Sequence, residues 1–255
     1  MELTCSLEPG LNYRSNSQIA RVVTENWFAR QMYCPACRSN SLTSAPNNCP
    51  GLDFRCPMCS AAYQLKSRKT ALTNRVVDAG YDAMIRAIRS DQVPNLFLLQ
   101  YTSSWSVINL LLVPSFFFTE SAIERRKPLS LAAKRANWVG CNILLDNIPV
   151  DGRIAVVSSG VAASPSHVRE EYERIRPLSA LKREVRGWTL DVLNVLRRLG
   201  KQEVSLADVY AFERSLQTVH PSNKNVRAKI RQQLQILRDL GFLAFGDRGR
   251  YRVLH

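Results

Sequence analysis

Two pairs of cysteines constrain this chain more than anything else in it. Cys34-Pro-Ala-Cys37 and Cys56-Pro-Met-Cys59 are CxxC pairs with eighteen residues between them. Two residues between cysteines let one tight turn aim both sulfurs at a single ion, about 2.3 Å away for zinc. Two such pairs predict one closed four-thiolate zinc site. All four positions around the metal are then filled, so the metal is expected to be structural. A thioredoxin-like redox role fits less well, because one pair suffices for it. The other three of the seven cysteines, Cys5, Cys49 and Cys141, have no CxxC partner and are read as bystanders.

Composition sets the class. A length of 255 residues fits one large domain or two small ones, and 45% hydrophobic with 22% charged residues is an ordinary globular balance. The net charge of +14 is not ordinary. It favours a polyanionic partner, since each Lys or Arg placed on a phosphate releases a condensed counterion. The start, Met1 to Gly10, carries two acids and no long apolar run, unlike a secretion signal. The most apolar stretch, 107–118, is broken by Asn109, Pro114 and Ser115 and falls short of the about 20 residues a bilayer needs. A cytoplasmic, non-membrane protein is expected, where thiols favour metal over disulfides.

Periodicity gives the organisation. Ser17 to Gln31 reads as an amphipathic helix on Ile19, Val22, Val23, Trp27 and Phe28. Asp78 to Arg89 reads as a second helix, with Met84, Ile85 and Ile88 on one side. Residues 95–101 and 107–113 are strand-like, parted by Ser103-Ser104, and 141–145 and 154–157 read as further strands. Strands flanked by helices predict a mixed α/β core. The charged stretch to Pro177 shows little pattern, and a boundary is placed at 182/183. From Trp188 the pattern turns helical: a face of Leu190, Val192, Leu193, Leu196 and Leu199 stopped by Gly200, then a helix capped by Ser205 with Asp208, then a third from about Asn223 to Leu240. Residues 242–245 and 250–254 flank Gly246-Asp247-Arg248-Gly249, a hairpin signal. Three helices and a terminal hairpin predict a winged helix-turn-helix over 183–255.

Chemistry is suggested between the cysteine pairs and just after them. Asp53, then Gln64 and Lys66 within Tyr63-Gln-Leu-Lys66, resemble the PD-(D/E)xK nuclease motif, with Gln where an acid is usual. Strand residues two apart face one side, so Gln64 and Lys66 project together, and a hairpin can bring Asp53 to them. In that family the acids hold Mg²⁺, which polarises the phosphoryl group and activates a water, and the lysine stabilises the growing charge. Gln64 offers a carbonyl oxygen to a hard cation but no charge. Glu25 and Asp78, the latter read as opening the second helix, are candidates to supply it.

Local matches then cover nearly the whole chain: Ser15-Asn-Ser17, Tyr33-Cys34-Pro35, Leu65-Lys66-Ser67, Arg126-Lys-Pro-Leu129, Gly140-Cys-Asn-Ile143, Arg186-Gly-Trp188-Thr189 and Ile230-Arg-Gln-Gln-Leu-Gln235. With the zinc pairs inside a PD-(D/E)xK core and the winged helix behind it, the chain resembles the DpnI-type methyl-directed restriction endonucleases. That resemblance implies a catalytic domain over 1–182 with Asp53, Gln64 and Lys66 as its site. It also implies Mg²⁺ as cofactor, a monomer, and cleavage of double-stranded DNA at GATC carrying N6-methyladenine. Because Gln64 departs from the family pattern, the alternative is a weak or silent reader of methylated DNA.

Two surfaces are candidates for DNA. The third helix of the winged unit carries Val226, Ile230, Leu234 and Leu237 on its buried side, leaving Lys224, Arg227, Arg231, Gln232 and Gln235 for the major groove. Residues 223–255 hold eight basic and two acidic side chains, and Arg248 and Arg250, with Arg252, fall on the wing, where phosphate contact is usual. In the first domain, Arg125-Arg126-Lys127, Lys134 and Arg135 form a second basic run, with Leu129, Ser130 and Trp138. A methyl on adenine calls for an apolar receiver, and Leu129 and Trp138 are the candidates. The alternative for Trp138 is a place in the core.

Overall fold

The computed structural model describes every residue except Asn47, Asn48, Pro50, Arg248 and His255. Up to residue 175 its order is α1 (Asn16–Gln31), β1 (Thr43–Ser44), β2 (Phe54–Arg55), β3 (Ala62–Arg68), β4 (Arg75–Gly80), α2 (Tyr81–Arg89), β5 (Asn95–Tyr101), β6 (Val107–Val113), β7 (Ile123–Arg125), β8 (Gly140–Leu144), β9 (Ile154–Ser158), β10 (Val161–Ala162) and α3 (Pro165–Ile175). The two apolar runs are β5 and β6, at the centre of a seven-stranded sheet ordered β1-β2-β3-β5-β6-β9-β10. Every residue of β5 is buried, as expected of a strand covered on both faces. β3 joins β5 in parallel, from Tyr63 opposite Asn95 to Arg68 opposite Gln100, and β4 with α2 supplies the crossover that parallel pairing requires.

Helix α1 covers one face of this sheet. Its Phe28 ring lies 4.6 Å from that of Phe54 and 4.9 Å from that of Phe97. Thr24 Oγ1 bonds Ser67 Oγ at 3.0 Å, so α1 packs on the side of β3 that carries Tyr63, Leu65 and Ser67. Gln64 and Lys66 therefore look the other way, towards α2 and a second sheet ordered β4-β8-β7. The helix expected to begin at Asp78 begins later. Residues 75–80 are a strand paired with β8, and α2 starts at Tyr81, so Asp78 stands on β4 and not at a helix start. Val76 and Val77 suit a pleated strand, and the pairing partner lies sixty or more residues away, where no local pattern shows it. The patternless stretch before residue 177 is also a helix, α3, capped by Ser164 accepting from the His167 N–H.

The rest of the chain forms α4 (Arg183–Leu199), β11 (Glu203–Ser205), α5 (Leu206–Tyr210), α6 (Glu213–Val219), α7 (Val226–Asp239), β12 (Leu243–Phe245) and β13 (Arg250–Val253). Gly200 ends α4 at φ +62°, a left-handed backbone that glycine adopts at little cost. Ser205 and Asp208 cap α5 reciprocally. The single helix expected after the Ser205–Asp208 cap is two short ones, and β11 adds a strand to the wing, ordered β11-β13-β12. The α7 seam is Val226, Ile230, Leu234 and Leu237 as expected, joined by buried Gln233, whose Oε1 accepts from Thr189 Oγ1 at 2.7 Å. Among the described residues no helix is long and apolar enough to cross a membrane.

Helix α4 is docked on the α/β layers by charge as well as by packing. Arg197 grips Asp151 with two bonds of 2.8 and 2.7 Å, and only 3% of the Asp151 side chain is exposed. Ser121 donates to Asp191, Asn194 to the Asp146 carbonyl, and Arg186 pairs with Asp91. Removing one partner of a buried pair strands the other charge, so Asp151→Ala is expected to cost about 3–5 kcal/mol. Equilibrium denaturation measures it. A loss under about 1 kcal/mol, the scale of a solvent-exposed pair, would show that this pair is not buried in solution.

Candidate metal centre and nuclease site

The sulfurs of Cys34, Cys37, Cys56 and Cys59 all lie within 4.8 Å of one another, Cys37 to Cys56 at 3.5 Å and Cys34 to Cys59 at 3.6 Å. That is the spread of four thiolates able to close around one tetrahedral zinc ion. Among the described residues this is the sole convergence of three or more Cys, His, Asp or Glu ligand atoms. Burial pushes the Cys56 thiol up, but the backbone N–H groups of Cys59 and Met58 and the neighbouring thiols outweigh it and bring it down to about 6. A thiolate ready for metal is thus favoured at that corner. Cys5 and Cys141 are buried and pushed up to about 11 by burial alone or chiefly so, which fits inert thiols.

Two groups outside the cysteines hold this centre, and the sequence reading missed both. Tyr63 Oη lies 3.0 Å from Cys34 Sγ, placed to donate to a thiolate. Arg169, on α3, donates to the carbonyls of Cys34 and Ser39 at 3.1 and 2.8 Å and lies over the Tyr33 ring. The centre is also the turn of the next site. The β2–β3 hairpin pairs Phe54 with Tyr63 and Arg55 with Ala62, and the second CxxC pair is its loop.

That hairpin brings Asp53 to β3. The Asp53 N–H donates to the Tyr63 carbonyl at 3.0 Å, and Asp53 Oδ2 accepts from the N–H of Leu65 at 2.8 Å. Leu65 is the residue between Gln64 and Lys66, so the Asp53 carboxylate sits against the peptide that separates them. One of its oxygens is anchored. Glu25, on α1, is close enough to feel it: burial raises the Glu25 carboxyl, Arg21 lowers it, and the Asp53 charge raises it further. Lys66 reaches across to β4, its Nζ 2.7 Å from Asp78 Oδ1. Gln64 and Asp78 line one cavity of about 190 Å³, walled by Met84, Leu96, Phe118 and Ile143. Of the two acids considered for the charge that Gln64 lacks, Asp78 is thus beside Lys66 and Glu25 beside Asp53. Together with Asp53 they do not form a three-acid cluster.

The chain matches the DpnI Dam-replacing family over residues 1–181 and the Dam-replacing helix-turn-helix domain over residues 184–253. It belongs to the Dam-replacing family. Membership places it among methyl-dependent restriction nucleases with a C-terminal DNA-binding helix-turn-helix unit.

The two basic surfaces singled out as candidates for DNA contact are well separated along the chain. In the first, the loop between β7 and β8 exposes Leu129, Ser130, Lys134 and Arg135, along with Arg126 and Lys127. Its base is closed by bonds from Leu129 N to Trp138 O and from Arg126 N to Gly140 O, both 2.9 Å. Trp138 is half-buried rather than core. Its ring lies over Gly140, where an added Cβ would come within 2.8 Å of it, so only glycine allows this seat. The loop is rooted near the Lys66–Asp78 pair, since Cys141 feels the charges of Asp78, Lys66 and Arg126.

In the second, Lys224, Arg227, Arg231, Gln232 and Gln235 are all exposed at the start and along the outer side of α7. Two of them have protein partners. Arg227 pairs with Glu213 at 2.8 Å and lies over the Tyr210 ring, and Arg231 donates to Tyr210 Oη at 2.9 Å. These partners hold the two guanidinium groups on the outer side of α7. On the wing Arg250 and Arg252 are exposed, while Arg248 lies outside the described residues. Trp188 is buried and stacked on His220 at 3.8 Å.

Proposed function

We propose that this chain is a monomeric, Mg²⁺-dependent type II endonuclease that cuts double-stranded DNA at GATC containing N6-methyladenine, with one structural zinc per chain. The observation that carries the reading is the Asp53 carboxylate tied to the Leu65 N–H, between Gln64 and Lys66. It puts a carboxylate, a carboxamide and an ammonium on one hairpin of a family of restriction nucleases. The donor set suits magnesium, which takes hard oxygen ligands and is commonly held by one or two carboxylates plus substrate phosphate. Asp53 and the Gln64 carbonyl oxygen would hold the ion, which supplies charge for the phosphoryl oxygens and a more acidic water.

The chain's own residues do the rest. The Leu65 N–H anchors one Asp53 oxygen, which leaves the other available to a cation without a rotamer search. Lys66 would supply positive charge to a phosphoryl group as it gains negative charge. The two-domain reading, 1–182 for cleavage and 183–255 for reading, assigns α7 to the major groove and the wing to phosphates. Leu129 and Trp138 are the apolar surface offered to the methyl group.

Plasmids carrying or lacking Dam methylation, incubated with Mg²⁺ or Mn²⁺, test this. Cleavage of the methylated plasmid alone is expected. Retarded migration of methylated DNA with no cut under either metal would select the silent reader instead. Equal cutting of both plasmids would sink the methyl-directed reading.

A further inference from the structure

We propose that Asp78 is the positioning residue for Lys66, holding its ammonium against β4 and off Asp53, so that the Asp53 carboxylate stays open to a cation. The inference rests on the nuclease reading above and adds a residue that the motif does not contain.

Four observations meet at this pair. Lys66 Nζ and Asp78 Oδ1 are 2.7 Å apart, a direct ion pair. The Asp78 side chain is 4% exposed and that of Lys66 26%, so the acid is the fixed, desolvated member and the lysine reaches in to it. The two come from different sheets, β3 and β4, so the pair is not a by-product of neighbouring strand positions. Finally, Asp78 shares a cavity with Gln64, and the remaining walls there include Met84, Leu96, Phe118 and Ile143. A carboxylate beside such walls holds the cation within its reach, because a desolvated charge without a partner is costly.

Gln64 makes this matter. Where strand β3 carries a carboxylate two residues before the lysine, that acid can occupy the ammonium. A neutral carboxamide cannot. Without Asp78 the carboxylate left to Lys66 on its own hairpin is Asp53, bonded one residue away at Leu65. A cation and an ammonium would then compete for the same oxygen. Asp78 removes the competitor and leaves the ammonium poised beside the cation site.

The test is calorimetric titration of Mn²⁺ into the zinc-loaded full chain, without DNA, for wild type, D53N, D78N, K66M and K66M/D78N. D53N is expected to lose binding. D78N is expected to weaken it about tenfold, a typical coupling for groups in direct contact. K66M/D78N, a neutral pair of similar shape that spares the fold a buried lone charge, is expected to bind within about threefold of K66M. A metal ligand at Asp78, or a purely architectural one, would not be rescued by removing the lysine. Binding by D78N equal to wild type, or by K66M/D78N as weak as D78N, overturns the proposal. If wild type binds no Mn²⁺, or D53N binds it unchanged, the nuclease-site reading itself fails and takes this proposal with it.

Discussion

Stripping the metal from the four-cysteine centre is expected to unfold the hairpin that carries Asp53, Gln64 and Lys66, and to end DNA cleavage with it. The reason is in the connectivity. Cys56 follows β2 directly, Cys59 precedes β3, and the Phe54–Tyr63 register lies between them and Asp53, Gln64 and Lys66. Structural zinc binding is worth about 10–16 kcal/mol in small zinc modules, against about 5–15 kcal/mol for a whole domain. Without the ion, four thiols within 4.8 Å hold nothing together. Purified protein should carry one zinc, a strong chelator should release it, and Cys56→Ser should lower the melting temperature sharply. Tyr63→Phe keeps the ring packed on Phe97 but loses the hydroxyl beside Cys34, so metal affinity should fall about 10–100-fold with the fold retained. Native protein free of zinc, or a Cys56→Ser variant that melts like wild type, would contradict this account.

What the sequence made legible was local. The CxxC spacing, the two apolar runs of β5 and β6, the Ser205–Asp208 cap and the glycine stop at 200 are each written within a few residues, and each appears in the structure. What it hid was pairing at a distance. β4 is recognisable only through β8, and assigning its residues to a helix put Asp78 on the wrong element, though beside the right question. Helix α3 did have a signal, Ser164-Pro165 with Val168, Tyr172 and Ile175 at helical spacing, but its charged residues obscured it. Arg169, Asp151 and Gln233 are polar residues whose partners lie on other elements, at Cys34 and Ser39, Arg197, and Thr189. No one-dimensional pattern joins such pairs. The catalytic candidates were legible as types and order, while the Asp53–Leu65 bond and the Lys66–Asp78 pair needed the sheets to be assembled.

Replacing Asp53 with alanine is expected to reduce cleavage by at least about 10²–10³-fold, the range for losing a group that stabilises developing charge. DNA binding should survive, since the α7 surface is untouched. Lys66→Ala should do the same. Gln64→Glu is the informative change, because it adds to β3 the charge that the motif usually contains. The new carboxylate would stand in the cavity that Asp78 lines, so part of its charge meets repulsion from that acid and part meets Lys66. The balance still favours a divalent cation, which carries twice the charge of the ammonium. Cleavage by Gln64→Glu should therefore rise above wild type most clearly at low Mg²⁺ and converge with it as the metal saturates. A rise from nothing would identify the natural chain as a silenced nuclease, and a rise from measurable activity as a weakly metallated one. A metal dependence unchanged by Gln64→Glu would mean that position 64 does not face the cation. In that case Asp53 would have to find its second oxygen donor elsewhere, and Glu25, whose carboxyl already feels the Asp53 charge, becomes the residue to replace next.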